Sequence, residues 1–271
     1  GGEFLKYSRN LLQVVNWSDE ARSVYESYGG LYPEEFWHKE GITWGKITSA
    51  RGGFREKPAA AHYDSGAGAI FTSEFVCDRV VLGFLNSPIV DLYIKALNPT
   101  VNTTVNDVLA LPLPARAQFP SVDEQVHKCV SACRTDWDSY ERSRDFQALP
   151  FLSLLANPAS SLESGYSAWT RKNYDTIAEM KRFEEGNNRL FIDAYDLADE
   201  LVPDVPLEQI TLTVNPAYRY GGKLTEEDLR TRFRQDTMAE LVSYAIGCMM
   251  GRYSLDTPGL IYAHSGNIGF D

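Results

Sequence analysis

The chain has 271 residues, of which 44% are hydrophobic and 23% charged, and a formal net charge of −11. That length favours two packed units over one, and no apolar run reaches the roughly 18 residues that a membrane-spanning helix needs, so no membrane partner is expected. The acidity argues against general adhesion to nucleic acid through phosphate neutralisation. Cys77, Cys129, Cys133 and Cys248 form no CxxC pair, which fits buried thiols in a reducing cytoplasm better than a disulfide framework or a zinc site.

The chain opens on Gly1-Gly2-Glu3-Phe4 with no initiator Met, and is expected to be an excised portion of something longer. From Gly41 the run Ile42-Thr43-Trp44-Gly45-Lys46-Ile47 alternates with period two and is β-branched and aromatic, which predicts a half-buried strand. Gly52-Gly53 marks a turn, and Ile70-Phe71 suits a second short strand. The charge is unevenly spread: residues 1–118 carry 11 basic and 13 acidic side chains, the remainder 15 and 24. Between Lys46 and Lys57, four basic residues (Lys46, Arg51, Arg55, Lys57) stand against Glu56 alone. Long cations beside glycines that allow close backbone approach suit phosphates and base edges. Trp44 and Ile47 fit a core equally well, and Lys46 a solvated strand position.

Residues 75–86 read as a mostly apolar helix, and Ser87-Pro88 starts another whose buried face is predicted as Ile89, Leu92, Tyr93 and Leu97. Asn98-Pro99 ends it, and Val108 to Pro114 is a stiff apolar exit. Ser121 and Glu124 have the spacing of a capping box. They open a long helix with the stripe Val122, Val126, Cys129, Val130, Cys133, Trp137 and Tyr140. A further helical stretch from Ser161 carries Leu162, Tyr166, Trp169, Ile177, Met180, Phe183, Leu190 and Ala194, long enough for a hairpin or a spacer. The last helix, from about Thr225 to Tyr253, places Leu229, Phe233, Leu241, Ala245 and Cys248 on one side. The expected fold class is α+β: a mixed α/β domain over 1–118, then a mainly helical domain over 119–271 with long helices.

Local catalytic chemistry is missing. Asn-Pro occurs at Asn98, Asn157 and Asn215, never followed by a second proline as the adenine-holding Asn-Pro-Pro-aromatic turn requires. No glycine-rich nucleotide fingerprint, phosphate loop, HExxH or GxSxG is present. The four histidines are scattered, and the carboxylates flanking Trp137 suit a solvated helix face.

Several segments carry a resemblance. Gly41-Ile-Thr-Trp44-Gly-Lys46-Ile-Thr-Ser49, Leu82-Gly-Phe-Leu-Asn86-Ser87, Leu97-Asn98-Pro99-Thr100 and Leu111-Pro-Leu follow one another in the order found in the C-terminal half of PglX-type adenine-specific DNA methyltransferases. Asp136-Trp-Asp-Ser-Tyr140-Glu and Tyr244-Ala-Ile-Gly-Cys248-Met-Met-Gly-Arg252-Tyr-Ser-Leu-Asp256 are more particular to that family. The resemblance implies a DNA target-recognition domain and helical tail within a BREX phage-defence system. Double-stranded DNA and other BREX components would be its partners, in the bacterial cytoplasm. The cofactor S-adenosylmethionine would bind an upstream catalytic domain, none being held here. Its expected DNA-contacting residues are Thr43, Trp44, Lys46, Ser49, Arg51, Arg55 and Lys57, since a base-flipping enzyme must choose its site through neighbouring base edges and phosphates. Two alternatives stand beside this: a protein-interaction module that docks other defence components, and the specificity part of a fused restriction-modification enzyme.

Overall fold

The computed structural model describes residues 4–8, 12–47, 52–71, 78–113, 119–155 and 161–262. The fold is α+β. Its compact units are not sequential: one comprises residues 1–133 and 180–205, the other 134–179 and 206–271. The edge expected between 118 and 119 therefore coincides with neither. Two long helices, α5 (Pro120–Trp137) and α7 (Leu162–Ala194), contribute turns to both units.

In the first unit, β1 (Gly41–Gly45) lies between β2 (Phe54–Lys57) and β3 (Ala67–Ile70), antiparallel to each. Strand period two puts Ile42, Trp44 and Phe54 on one face, where all are buried. The outer edge of β2 is sealed by the segment before it. Tyr7 N–H donates to Phe54 O at 2.9 Å, and Glu56 N–H donates to Tyr7 O at 2.9 Å, so an otherwise open row of backbone groups is paired. Gly53 permits this approach, because a Cβ there would lie 2.1 Å from Leu5 O. Lys6 turns the other way, fully buried, to form an ion pair with Glu184 on α7.

Packed near the sheet are α2 (Arg79–Leu85), α3 (Pro88–Leu97) and α4 (Val105–Leu109). The first has five apolar residues in seven, and all of Val80 to Leu85 are buried. At Gly83 a Cβ would meet Val126 and Val122 of α5 at 2.9 and 3.0 Å, so glycine sets that close helix contact.

The second unit contains α6 (Pro150–Ser153), α8 (Pro216–Tyr220) and α9 (Glu226–Met249), with the turns of α5 and α7 assigned to it. Thr225 and Asp228 cap α9 reciprocally. Buried Asp136 accepts from Thr213 N–H at 2.6 Å and Val214 N–H at 2.9 Å, and burial raises its carboxyl to about 6 despite those bonds. Gly247 lets the chain fold back after α9, for a Cβ there would lie 2.7 Å from the Tyr253 ring, which stacks on Tyr244.

Every residue of the predicted α5 stripe is buried. Other faces are corrected. Pro120 opens α5, which puts Ser121 inside the helix rather than at its cap. In α7, a single helix without a hairpin, Leu190 and Ala194 are exposed, and the interior takes Glu184, Asn187, Asn188, Phe191 and Ile192 instead. Buried polar partners, invisible to an apolar count, shift that face. In α3 the buried pair is Ile89 and Val90, with Leu92 and Leu97 exposed. On α9 the inner positions are Phe233, Thr237, Tyr244 and Gly247, while Ala245 faces out.

The buried Lys6–Glu184 pair is a strong test of how the N-terminal segment is fastened. Glu184→Ala should destabilise the chain by about 3–5 kcal/mol in urea unfolding, because it removes the carboxylate paired with a buried ammonium. A loss below about 1 kcal/mol, typical of an exposed pair, would contradict the assignment.

Candidate nucleic-acid interface

Three of the sequence segments singled out above meet at the C-terminal end of β1. Trp44 fills the space over Gly68, where a Cβ would sit 2.2 Å from its ring, and its indole Nε1–H donates to Thr103 O at 3.0 Å. Thr43 donates its hydroxyl to Gly68 O at 2.8 Å. Asn86, just past α2, treats Phe54 as a strand neighbour would: Oδ1 accepts from Phe54 N–H at 3.1 Å and Nδ2 donates to Phe54 O at 3.0 Å. Asn98 ties its own loop together, accepting from the Thr100 hydroxyl at 2.6 Å and donating to Asn102 O and to Asp107.

That loop is stitched to the strand. Thr103 N–H donates to Lys46 O at 2.7 Å, Lys46 N–H donates to Gly66 O at 3.0 Å, and Ile47 bridges Asn102. The result is a polar edge on which the Lys46 ammonium, donating to Ser65 O at 3.0 Å, stands with Thr100 and Asn102 around an exposed Ile47. Thr104 and Asp107 cap α4 reciprocally and fix the loop's far end.

The sequence-predicted contact set divides. Thr43 and Trp44 are interior residues that hold the frame. Arg55 and Lys57 belong to β2 and are 6% and 2% exposed, because residues 54–57, read from sequence as part of a positive surface segment, form a sheet strand. Lys46 remains at the surface. Ser49 and Arg51 lie outside the described residues. Thr100 and Asn102 were missed as surface groups, although Thr100 sits inside a segment quoted for its family resemblance.

Lys57 is occupied. Its ammonium donates to Lys39 O at 2.7 Å and Pro58 O at 3.3 Å and sits 5.6 Å from the Phe71 ring centroid. Burial pulls it down to about 8, with nearby Glu40 opposing. Phe71 continues into an aromatic group that the sequence reading missed. Phe36 stacks on Phe71, Tyr63 on Tyr32 and His62 on Trp17, while the Tyr32 hydroxyl lies 2.7 Å from His62 Nδ1. Desolvation raises the Tyr32 phenol to about 12 and lowers His62, where His38 and Lys57 add to the effect.

No protein-family profile matches the chain. It is 31% identical over 273 residues to the adenine-specific methyltransferase PglX of Lacticaseibacillus casei (strain Zhang), a match covering 97% of this chain and 21% of that protein. The chain belongs to the PglX/BrxX family. A second relative, the adenine-specific methyltransferase BrxX of Escherichia coli O9:H4 (strain HS), is 29% identical over 272 residues, covering all of this chain and 22% of its own length. The chain thus spans about a fifth of the relatives it matches. Among the described residues no single helix is long and apolar enough to cross a membrane.

Between about pH 8 and 10.5 the folded state holds Lys57 less protonated than the unfolded chain, so the unfolded state binds more protons. The penalty for burying the ammonium is therefore complete below pH 8 and is relieved as the pH climbs to 10.5. The parent chain should gain stability relative to Lys57→Met across that window in chemical denaturation. A difference that stays flat with pH would show the ammonium to be solvated.

Proposed function

We propose that this chain is the C-terminal target-recognition and helical part of an adenine-N6 DNA methyltransferase in a bacterial, cytoplasmic BREX phage-defence system. One observation carries it: both adenine-specific methyltransferases match along essentially the whole chain, yet the chain has no Asn-Pro-Pro-aromatic turn and no glycine-rich cofactor loop. Catalysis and S-adenosylmethionine binding then belong to the remaining four-fifths of such a protein, and site selection on double-stranded DNA to this fifth.

The polar edge at the end of β1 suits that task. Lys46 supplies a cation for a phosphate, and the Thr100 and Asn102 side chains offer short donors and acceptors for base edges. Ser49 and Arg51 stand in the sequence between β1 and β2, five and three residues before Phe54. Arg55 and Lys57 act as frame, like Thr43 and Trp44.

In the full-length methyltransferase, Lys46→Ala and Arg51→Ala should each reduce the logarithmic salt slope of DNA binding by about 0.9 if the residue meets a phosphate. If either reads a base, its loss should cost about 1–3 kcal/mol and relax one position of the methylated sequence. Affinity, slope and methylated sequence all unchanged in the double variant would place the DNA elsewhere.

A second reading, a module that docks other defence components, draws on the end of α9, where Val242, Ile246, Met249 and Met250 are 58%, 50%, 87% and 63% exposed. Under it, Val242→Glu with Met249→Glu would abolish co-purification with other BREX components and leave the methylated sequence unchanged.

A further inference from the structure

Within the second unit a cavity of about 270 Å³ lies between α7, α9 and the turn that leads into α8. Its walls are aromatic and apolar: Tyr166, Tyr174 and Ile177 come from α7, Phe233 from α9, and Val214 and Pro216 from the turn. That turn is held in place by Asp136, whose carboxylate receives the Thr213 and Val214 N–H groups. Trp169 stacks on Phe233 at 5.5 Å between centroids and backs the wall from behind. Buried Val214, Ile177 and Phe233 thus form the fixed part of the wall.

Its polar lining comprises Asn173, the Thr170 and Thr231 hydroxyls and two arginines. Asn173, 8% exposed, lines the cavity, and its carboxamide nitrogen is shielded from solvent without a hydrogen-bond partner. A buried amide donor left in this state calls for an acceptor. Arg230 and Arg234 also line the cavity, one helical turn apart on α9 and hence on one face. Among the described residues Arg230 forms an ion pair with exposed Glu226, at 3.5 Å, and Arg234 forms none. Burial raises the Tyr166 phenol, and the charge of Arg234 opposes that rise, so its field reaches the cavity wall. Two available guanidiniums stand out in a half of the chain, residues 119–271, that carries 24 acidic against 15 basic side chains.

We propose that this cavity binds a nucleotide, its flat ring among Tyr166, Tyr174 and Phe233 and its phosphate on Arg230 and Arg234. Aromatic side chains accept any base by its face. Guanidinium forks match phosphate oxygens in geometry and charge. The Asn173 carboxamide supplies the donor that a ring nitrogen or carbonyl of the base would satisfy. The same chemistry serves a free nucleotide or one nucleotide of a DNA strand, and the site stands independently of the proposed interface at β1.

The test is calorimetric titration of the 271-residue chain with adenosine 5′-monophosphate, thymidine 5′-monophosphate, adenosine and inorganic phosphate. A nucleotide should bind saturably at one site, with adenosine and phosphate each weaker by about tenfold or more, the weight of a charge-assisted contact. Arg230→Ala with Arg234→Ala should bring the nucleotide down to the nucleoside's affinity, and Asn173→Leu should weaken nucleotide and nucleoside alike. Both arginines are exposed, so an unchanged thermal unfolding curve keeps the double variant interpretable. Competition by a short single-stranded oligonucleotide, lost in the double variant, assigns the site to a strand, and failure to compete assigns it to a free nucleotide. Absence of saturable binding by either nucleotide would overturn the proposal, as would phosphate binding as tightly as the nucleotides or a double variant that binds them undiminished.

Discussion

The first unit depends on the contact of Trp44 with Gly68. A large ring can lie flat across a neighbouring strand only where that strand offers no side chain, and any Cβ at residue 68 would fall 2.2 Å from it. With the ring seated, its indole N–H reaches Thr103 O, a bond that ties the loop after α3 to a buried side chain of the sheet. The backbone of Lys46, two residues on, is then clasped between Gly66 and Thr103. Position of the polar edge thus follows from a packing event rather than from any contact among the surface groups themselves. Aromatic burial of this size outweighs several net hydrogen bonds, which is why the loops it anchors can remain polar and exposed.

The segments by which this chain resembles its family are, in the structure, devices of architecture. Asn86 substitutes for a strand partner of Phe54, Asn98 organises the loop before α4, and Asp136 holds the Thr213–Val214 turn. Gly247 makes room for Tyr253 after α9. Asn86 and Asp136 satisfy backbone groups that would otherwise be buried unpaired, while Asn98 and Gly247 fix the local course of the chain. These signature residues therefore belong to the frame, while groups that touch a ligand are expected among exposed neighbours such as Thr100, Asn102, Arg230 and Arg234.

This explains what the sequence could reveal. The α+β class, strand β1 and the α5 stripe were legible because hydrophobic period alone decides them. Strand β2 was not: Arg55, Glu56 and Lys57 read as surface charge, and only tertiary partners such as Lys39 O and the Phe71 ring make burial of Lys57 tolerable. The interior face of α7 was misplaced for the same reason, since Glu184 is buried against Lys6, 178 residues away. Of the candidate site, Lys46 was found from its charge. Thr100 and Asn102 were overlooked because exposure of short polar residues depends on a loop held by Trp44, which no local pattern announces.

On the proposed division of labour, this fifth of the protein would select a DNA site for chemistry performed elsewhere. Exchanging residues 41–118 between two family members that methylate different sequences tests it most directly. Sequencing of methylated sites should show the chosen sequence travelling with the exchanged segment. Retention of the recipient's own methylated sequence by a folded, active chimera would contradict the account.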